Sequence, residues 1–349
     1  MSGIDGLNPG DPGIALLADA VRGISPSDLL LVHCGDLPGV GSGAQRLILD
    51  VREREGAVAT TVEEQLGAWA LPEPLLHGIV WPRAHLGKDF TQWCIARAAQ
   101  NVRTGGTVWC AVRKSKGAAG AADSLEALVG PVEVKARSKG YRLLCATHQG
   151  GNQDAAAQVL GARYTIEDAE LLPGITLRSG PGVFSRRALD KGTAALLRYT
   201  AEVEFQPPRH VLDLCTGLAP IALAAAMRWP EARVTAVDSN VLAVALARQN
   251  VVGAGVDGRV RVFAHDGLPP AVPGQAASLA LLNPPTHADV DTLRGLLAGM
   301  RHGMTPDARA IAVVSRAGRI TEVLRGLDAQ VSAHDTGTGY TIVDASWQS

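Results

Sequence analysis

Short apolar runs alternate with Ala- and Leu-rich segments along the first half of the chain. The runs typical of β-strands are LLLVH (29–33), RLILDV (46–51), TVWCAVR (107–113) and YRLLCAT (141–147). The segments typical of helices are 91–101 and 124–129. This alternation of strands and helices predicts a parallel or mixed sheet that is covered by helices.

The second half repeats this rhythm. Its predicted strands are HVLDL (210–214), RVTAVD (233–238), RVRVFA (259–264), SLALLN (278–283), ARAIAVVS (308–315) and GYTIVDAS (339–346). Its predicted helices are 220–228 and 241–252, with one more before ARAIAVVS and one after it. Several of these strands are apolar almost throughout, which is typical of a sheet covered on both faces.

The two halves also share one order of features. GIVWPRAH (78–85), GGTVWCAVRKSKG (105–117) and KGYRLLCAT (139–147) match the spacing of LALLNPPTH (279–287), DARAIAVVSRAGR (307–319) and GTGYTIVDA (337–345). This match favours duplication of one domain, and two unrelated α/β domains with a similar rhythm are the alternative. GGNQDAAAQ (150–158) interrupts the pattern, so domains are predicted at 1–158 and 165–349.

Composition and charge narrow the function classes. The chain has 349 residues, 46% hydrophobic and 19% charged, which is typical of a globular protein with two domains. Its net charge of −1 excludes a global attraction to nucleic acid or acidic membranes. The sequence shows neither a membrane-spanning run nor a signal-peptide pattern, so a cytoplasmic location is predicted. Its 5 scattered cysteines indicate neither disulfides nor a metal site.

Polar side chains stand at the ends of four successive predicted strands in the second half, namely Asp213, Asp238, Asp266 and Asn283. After the first strand, a turn with Gly217 leads into a helix that begins at Pro220. The carboxyl ends of parallel strands meet at one edge, where ligands bind, and an acid after the second strand accepts hydrogen bonds from ribose hydroxyls. One such acid alone is typical of a turn or a helix cap. Four polar side chains at the ends of successive strands predict a site for an adenosine-bearing cofactor.

The second half resembles the class I S-adenosylmethionine-dependent methyltransferases in this pattern of acids, turn and Asn-Pro-Pro. LPGITLRSGPGVFSRRALDKGTAALL (172–197) is similar to the segment before the catalytic domain of the two-domain bacterial ribosomal RNA guanine-N2 methyltransferases. The resemblance implies two tandem Rossmann-like domains. The first is expected to be degenerate and to serve substrate recognition or stability. The second is expected to bind S-adenosylmethionine on a mostly parallel seven-stranded sheet.

The resemblance also implies which residues form the site. Cofactor-binding residues are expected at Asp213, Cys215, Thr216, Gly217, Asp238, Ser239, Asp266, Gly267, Asn283 and Gly192. Residues expected near the same pocket are Phe184, Ser185 and Asp190. Catalytic residues are expected at Asn283, Pro284, Pro285 and His287.

Asn-Pro-Pro suits methyl transfer to a conjugated amine. The side-chain oxygen of Asn283 and the carbonyl of Pro284 would accept the two N–H groups, hold the nitrogen towards the methyl group and favour the charge that develops on it. The prolines stiffen this loop. A tight Pro-Pro turn after a buried strand is the alternative. The family has an aromatic residue where this chain has Thr286, which leaves His287 as the candidate to contact the base.

The predicted substrate is the exocyclic N2 amine of a guanine in small-subunit ribosomal RNA, presented as an unpaired or flipped-out base. The phosphates of the RNA would contact a basic patch in the first half, formed from Arg83, Lys88, Arg97, Arg103, Arg113, Lys114, Lys116, Lys135, Arg137, Lys139 and Arg142. Charges spread over several faces are the alternative to such a patch.

Two other functions fit the same pattern. Glutamine methyltransferases of translation factors combine an Asp-Leu-Cys-Thr-Gly turn with Asn-Pro-Pro-Tyr, although their N-terminal domain is smaller and helical. A catalytically silent RNA-binding or assembly protein would keep the fold without transfer, and Cys215 and Ala219 replace glycines that are usual in the turn. The sequence does not give the oligomeric state, and a monomer is assumed.

Overall fold

The structure, a computed structural model, describes residues 10–35, 37–41, 43–53, 66, 70–269, 276–285 and 289–348. These residues form two compact units. The first unit runs to Arg163 and includes Gly180–Gly182, and the second contains Tyr164–Ser179 and the residues from Val183 onward. Within the described ranges, no helix is both long and apolar enough to cross a membrane.

The first unit is built on a six-stranded sheet. Its strands are β1 (Leu29–Val32), β2 (Gln45–Leu47), β3 (Leu75–Val80), β4 (Val102–Arg113), β5 (Val132–Ser138) and β6 (Tyr141–Thr147). Its helices are α1 (Pro12–Ala20), α2 (Lys88–Asn101), α3 (Ala118–Leu128) and α4 (Gln153–Leu160). The strand order is β2-β1-β3-β4-β6-β5, and β6 runs antiparallel to both of its neighbours.

The second unit begins with an antiparallel pair, β7 (Tyr164–Glu167) and β8 (Thr176–Ser179). Its main strands are β9 (His210–Leu214), β10 (Arg233–Asp238), β11 (Val260–Ala264), β12 (Ala277–Leu282), β13 (Met304–Val314), β14 (Gln330–Asp335) and β15 (Thr341–Ser346). Its helices are α5 (Lys191–Glu202), α6 (Pro220–Arg228), α7 (Val241–Gly253), α8 (Val290–His302) and α9 (Ala317–Arg325). The strand order is β11-β10-β9-β12-β13-β15-β14, parallel except around β15. The predicted α/β fold with a mostly parallel seven-stranded sheet is confirmed.

The two sheets follow the same plan. Strands β2-β1-β3-β4-β6-β5 match β10-β9-β12-β13-β15-β14 in order and in relative direction. An irregularity recurs as well, because the pairing register shifts between Leu75 and His77 in β3 and between Ala277 and Leu279 in β12. Among the described residues, the first sheet has no counterpart of β11. This common plan supports duplication of one domain, with the first copy shorter at one edge.

Alternation of side chains along β9 explains how the second sheet is covered. All residues of β9 are buried. Leu212 belongs to a core with Leu297 of α8 and Ile320 of α9. Because neighbouring side chains point to opposite faces of a strand, Asp213 lies on the other face, where it accepts the amide of Ala222 in α6. Helices therefore cover both faces and leave the carboxyl edge for ligands.

Local polar contacts explain where the predicted elements were wrong. The strand predicted at 46–51 ends at Leu47 because the backbone turns at Asp50, whose carboxylate accepts the Arg52 amide at 3.0 Å. The interrupted segment 150–158 contains the start of α4, which Asn152 caps by accepting the Ala155 amide at 2.9 Å. The elements that the sequence did not predict are α1, α4, α5, β3, β5, β7, β8 and β14. Of these, β5 and β14 are mostly exposed edge strands and lack apolar alternation.

Candidate cofactor and catalytic site

A cleft of about 450 Å³, including its open mouth, lies where β9 and β12 end. The turn after β9, the start of α6 and the segment before α5 form its walls. The lining residues are Ile166, Leu177, Phe184, Ser185, Ala188, Leu189, Asp190, Thr193, Cys215, Thr216, Gly217, Leu218, Pro220, Ile221 and Asn283. The cleft is thus mainly apolar, with a few polar groups in its wall, as is typical of a small-molecule site.

The turn after β9 depends on left-handed backbone conformations. Cys215, Gly217 and Ala219 have φ angles of 60°, 56° and 68°. At Gly217 the space that a Cβ would occupy is open to 4 Å, so a ligand can approach the backbone there. Ala219 is fully buried and adopts the same conformation at a cost of about 1–2 kcal/mol relative to right-handed backbone.

Asp238, at the end of β10, fixes the orientation of this turn. Its Oδ2 accepts the Gly217 amide at 2.8 Å, and its Oδ1 accepts the Asn240 amide at 2.9 Å. Two backbone amides thus hold the carboxylate in one orientation beside the cleft. Its neighbour Ser239 is half-buried.

Asp213 lies beneath the turn and is fully buried. Its Oδ2 accepts the Thr216 hydroxyl at 2.5 Å and the Ala222 amide at 2.9 Å. Its Oδ1 has no hydrogen-bond partner in the described part of the chain. Burial raises the pKa of this carboxyl, the two hydrogen bonds oppose the rise and the charge of Asp238 adds to it, so that the pKa lies at about 7. Asp213 therefore ties the turn to α6 and does not line the cleft.

Asp213→Asn is expected to change how stability depends on pH. The folded-state pKa of about 7 lies above the ordinary 3.8, so the wild type loses stability as the pH rises between these two values and the stability is level above them. The amide oxygen can keep both Oδ2 contacts without a charge. Since one unit of pKa shift equals about 1.4 kcal/mol, the variant should gain a few kcal/mol over the wild type between about pH 4 and about pH 7, and the difference should then stay constant. Urea unfolding between about pH 4 and about pH 8.5 measures the gain, and a difference that does not grow between about pH 4 and about pH 7 would contradict it.

Asn283 follows β12 and lines the cleft. Its Nδ2 donates to Oδ2 of Asp190 at 2.8 Å and to Oγ1 of Thr193 at 3.0 Å. Because a carboxylate only accepts hydrogen bonds, the amide nitrogen must face Asp190. Oδ1 then points the other way, and within the described residues it accepts no hydrogen bond. Among the described residues, the side chain is therefore held with its oxygen available as an acceptor.

The neighbours of Asn283 differ in burial. Pro284 is buried and Pro285 is exposed. Thr286 and His287 lie outside the described residues, so the predicted base contact of His287 stays a prediction.

Asp190 also begins helix α5, since it accepts the Thr193 amide at 2.9 Å as its N-cap. Gly192 makes room for this group. A Cβ there would lie 2.9 Å from Oδ2 of Asp190 and 3.0 Å from Cε1 of Tyr340. Burial raises the pKa of Tyr340, and the charge of Asp190 adds to the rise. The sequence analysis did not single out Thr193 or Tyr340.

The structure brings together part of the residues expected to bind the cofactor. Those that line the cleft are Cys215, Thr216, Gly217 and Asn283, with Phe184, Ser185 and Asp190. Asp238 reaches the cleft through Gly217. Asp266, which is exposed, and Gly267 follow β11 outside the lining. In the described part of the chain, no group of His, Cys, Asp and Glu is placed to hold a metal ion.

The same edge of the first sheet has different residues. By strand register, His33 after β1 matches Cys215, and Trp81 after β3 matches Asn283. His33 has the same left-handed backbone, with φ of 55°. Its buried ring lies 5.3 Å from Phe90 and 5.8 Å from Trp93 between ring centroids. Burial lowers the pKa of His33 well below its ordinary value, as do the nearby Arg83 and Arg97 charges.

Basic side chains gather at one end of the first sheet, which we call the basic edge. Arg113 pairs with Tyr141 across β4 and β6, and the Lys114 amide donates to the Gly140 carbonyl at 2.8 Å, so the two loops lie together. The exposed members are Arg113, Lys114, Lys116, Lys135, Arg137 and Lys139.

Arg83 and Arg97 were wrongly included in the basic patch, because both are buried. Arg83 pairs with Glu53, and the Arg97 guanidinium lies 4.8 Å from the centroid of the Trp93 ring. Their charges therefore support packing inside the first unit.

The strand order and the cleft define a Rossmann-like fold of the class I methyltransferase type. Residues 174–344 match the family model described as methyltransferase small domain. The second unit thus carries that domain, and the family resemblance predicted from the sequence is confirmed.

Known proteins give more detail. The chain is 33% identical over 189 residues to ribosomal RNA small subunit methyltransferase C of Pseudomonas putida (strain W619), covering 54% of each protein. It is 36% identical over 167 residues to ribosomal RNA large subunit methyltransferase G of Pseudomonas syringae pv. syringae (strain B728a), covering 48% of this chain and 42% of that one. The chain thus spans about half the length of the curated relatives it matches.

One solved structure is similar over almost the whole chain. It is described as the T. thermophilus 16S rRNA N2 G1207 methyltransferase (RsmC) in complex with AdoMet and guanosine. The TM-score is 0.80 at 20% identity, over 98% of this chain and 95% of that one. At this identity the likeness shows the fold.

Proposed function

We propose that the protein is an S-adenosylmethionine-dependent methyltransferase that modifies the exocyclic N2 amine of a guanine in small-subunit ribosomal RNA. One observation carries the proposal. Asn283 lines the cleft, its amide nitrogen donates to Asp190 and Thr193, and its amide oxygen accepts no hydrogen bond from the residues that the structure describes. The names of the relatives, which methylate ribosomal RNA, support the substrate class and a cytoplasmic place of action.

The residues of the cleft fit S-adenosylmethionine. Gly217 leaves open space beside its backbone, and Asp238 is held with its carboxylate at the adjacent strand end, where it would accept ribose hydroxyls. Phe184, which is 68% exposed, adds an apolar wall. The bound cofactor supplies an electrophilic methyl group on a sulfonium. Transfer would replace one hydrogen of the guanine amine with the methyl group, leave the thioether S-adenosylhomocysteine and release the proton to water.

Asn283 would position the nucleophile. The guanine amine is a weak nucleophile because its lone pair is conjugated with the ring. Acceptance of its N–H groups by Oδ1 of Asn283 and by the Pro284 carbonyl would fix the nitrogen and favour the positive charge that develops on it. Such positioning needs no general base in the cleft.

The first unit would recognise RNA and bind no cofactor. At the positions that match Cys215 and Asn283 it has His33, packed between aromatic rings, and Trp81. Its basic edge offers cations for phosphate contacts, which carry most of the affinity of proteins for structured RNA.

Transfer of a labelled methyl group tests the function. Purified protein, labelled S-adenosylmethionine and small ribosomal subunits that lack the modification should give label in RNA, located at guanine N2 after nuclease digestion. Label in protein alone would support the glutamine alternative. Binding of S-adenosylhomocysteine without any transfer would support the silent RNA-binding alternative.

Lys114→Glu with Lys116→Glu is expected to weaken RNA binding. Each lost phosphate contact should lower the slope of log K against log salt by about 1, and KM for RNA should rise about tenfold or more. The affinity for S-adenosylhomocysteine should stay constant. Filter binding over a salt series measures the effect. The matched control is Arg233→Glu, an exposed cation at the amino end of β10, and an equal loss in this control would refute a specific role for the basic edge.

A further inference from the structure

We propose that Asp190 is the positioning residue that sets which end of the Asn283 amide faces the substrate, an inference that rests on the proposed function. The two residues are 93 positions apart in the chain and meet at 2.8 Å in the cleft. Both line it, so their contact lies at the site of transfer.

The chemistry of the two groups makes the orientation obligatory. An amide can turn by 180° and exchange its nitrogen and oxygen, so packing alone does not choose between the two orientations. Asp190 offers only acceptors and therefore selects the nitrogen of Asn283. Thr193, whose Oγ1 accepts from the same nitrogen at 3.0 Å, reinforces the choice.

Asp190 is itself held in place. Its Oδ2 accepts the backbone amide of Thr193 at 2.9 Å as the N-cap of α5. Close packing of Gly192 and Tyr340 leaves no room for a Cβ on that side. Asn283 is therefore oriented by a group that is anchored to a helix.

Asp190→Ser tests orientation separately from stability, because serine is also a good N-cap. Its hydroxyl would keep the Thr193 amide, but the shorter side chain would withdraw the acceptor from Asn283. Only Thr193, whose hydroxyl can donate as well as accept, would then contact the Asn283 amide, which could turn over and present N–H groups to the guanine amine, itself a donor. We expect kcat to fall about tenfold or more through partial loss of a transition-state hydrogen bond. Tm should stay unchanged, and the affinity for S-adenosylhomocysteine should stay within about threefold of the wild type.

The conservative variant Asp190→Asn is the decisive comparison. Asp190 accepts from the Thr193 amide and from Asn283 through the same oxygen, so an asparagine oxygen at that position can keep both bonds. Activity should therefore recover at least about tenfold over Asp190→Ser. A merely structural role as a helix cap predicts equal activity of the two variants, because serine and asparagine cap a helix about equally well.

Three results would overturn the inference: an Asp190→Ser variant as active as the wild type, a drop in its Tm that accounts for its loss of activity, or an Asp190→Asn variant no more active than Asp190→Ser. Asp289→Ser, the same change at the exposed N-cap of α8, is the control and should leave kcat within about twofold. Failure of the proposed function would look different, since the wild type itself would then transfer no methyl group to RNA.

Discussion

Asn283→Ala is expected to lower kcat for methyl transfer to RNA by about 10²–10³-fold, the loss typical of removing one hydrogen bond that strengthens in the transition state. Alanine cannot accept the N–H group of the amine, and the nitrogen would no longer be held towards the methyl group. The substitution removes only a half-buried side chain whose partners, Asp190 and Thr193, keep their own bond. Single-turnover transfer from labelled S-adenosylmethionine measures the effect.

Cofactor binding provides the control for this variant. S-adenosylhomocysteine should bind Asn283→Ala with a Kd within about threefold of the wild type, because the adenosine contacts are expected at Asp238 and Gly217. A variant that transfers methyl groups at the wild-type rate would remove Asn283 from the mechanism. A variant that loses cofactor and activity together would make Asn283 a cofactor residue instead.

The fold followed from local patterns to a large extent. Apolar runs predicted β9, β10 and β12, because these strands are buried on both faces and every position must be apolar or paired. Edge strands such as β14 escaped, since pairing on one side and exposure to water leave the residue types almost unconstrained. Helix α4 escaped because Gly150, Gly151 and Asn152, which are typical of a loop, stand directly before it, although its own Ala-rich sequence suits a helix.

Site residues could be predicted from the sequence where they directly follow a strand. Asp238 and Asn283 follow their strands directly, and the parallel order brings those ends to one edge. The roles of individual carboxylates were not predictable. Asp213 has the sequence position of a ligand-binding acid. Because side chains alternate between the two faces of β9, however, Asp213 points towards α6, where it accepts the backbone amide of Ala222. The contact between Asp190 and Asn283 depends on how α5 packs, and no local pattern encodes that.

The common plan of the two sheets allows their corresponding positions to be compared. Both sheets have a left-handed residue directly after the corresponding strand, at His33 and Cys215, so they share this backbone feature although the side chains differ. In the first unit, buried aromatic and ionic groups occupy that region, including the Arg83–Glu53 pair. Such groups stabilise only when they are well packed and paired, which removes the space that a ligand would need. The second unit has an open cleft and the strained turn at Ala219.

Gly217→Val is expected to weaken binding of S-adenosylhomocysteine about 100-fold or more, because a branched side chain would fill the space in which the ligand meets the turn. The wild-type position has φ of 56°, and no heavy atom other than its chain neighbours lies within 4 Å of a Cβ. The left-handed backbone adds strain of about 1–3 kcal/mol, which by itself would lower the free energy of unfolding. Calorimetric titration with S-adenosylhomocysteine measures the affinity.

Gly255 offers a control with the same strain. It has φ of 68° and equally open surroundings in the turn after α7, and it does not line the cleft. Gly255→Val should therefore lose a similar free energy of unfolding while its Kd for S-adenosylhomocysteine stays within about twofold of the wild type. If both valine variants lost affinity equally, the loss would come from destabilisation. If Gly217→Val bound as tightly as the wild type, the cofactor would lie elsewhere, and the placement of the methyl donor beside Asn283 would be wrong.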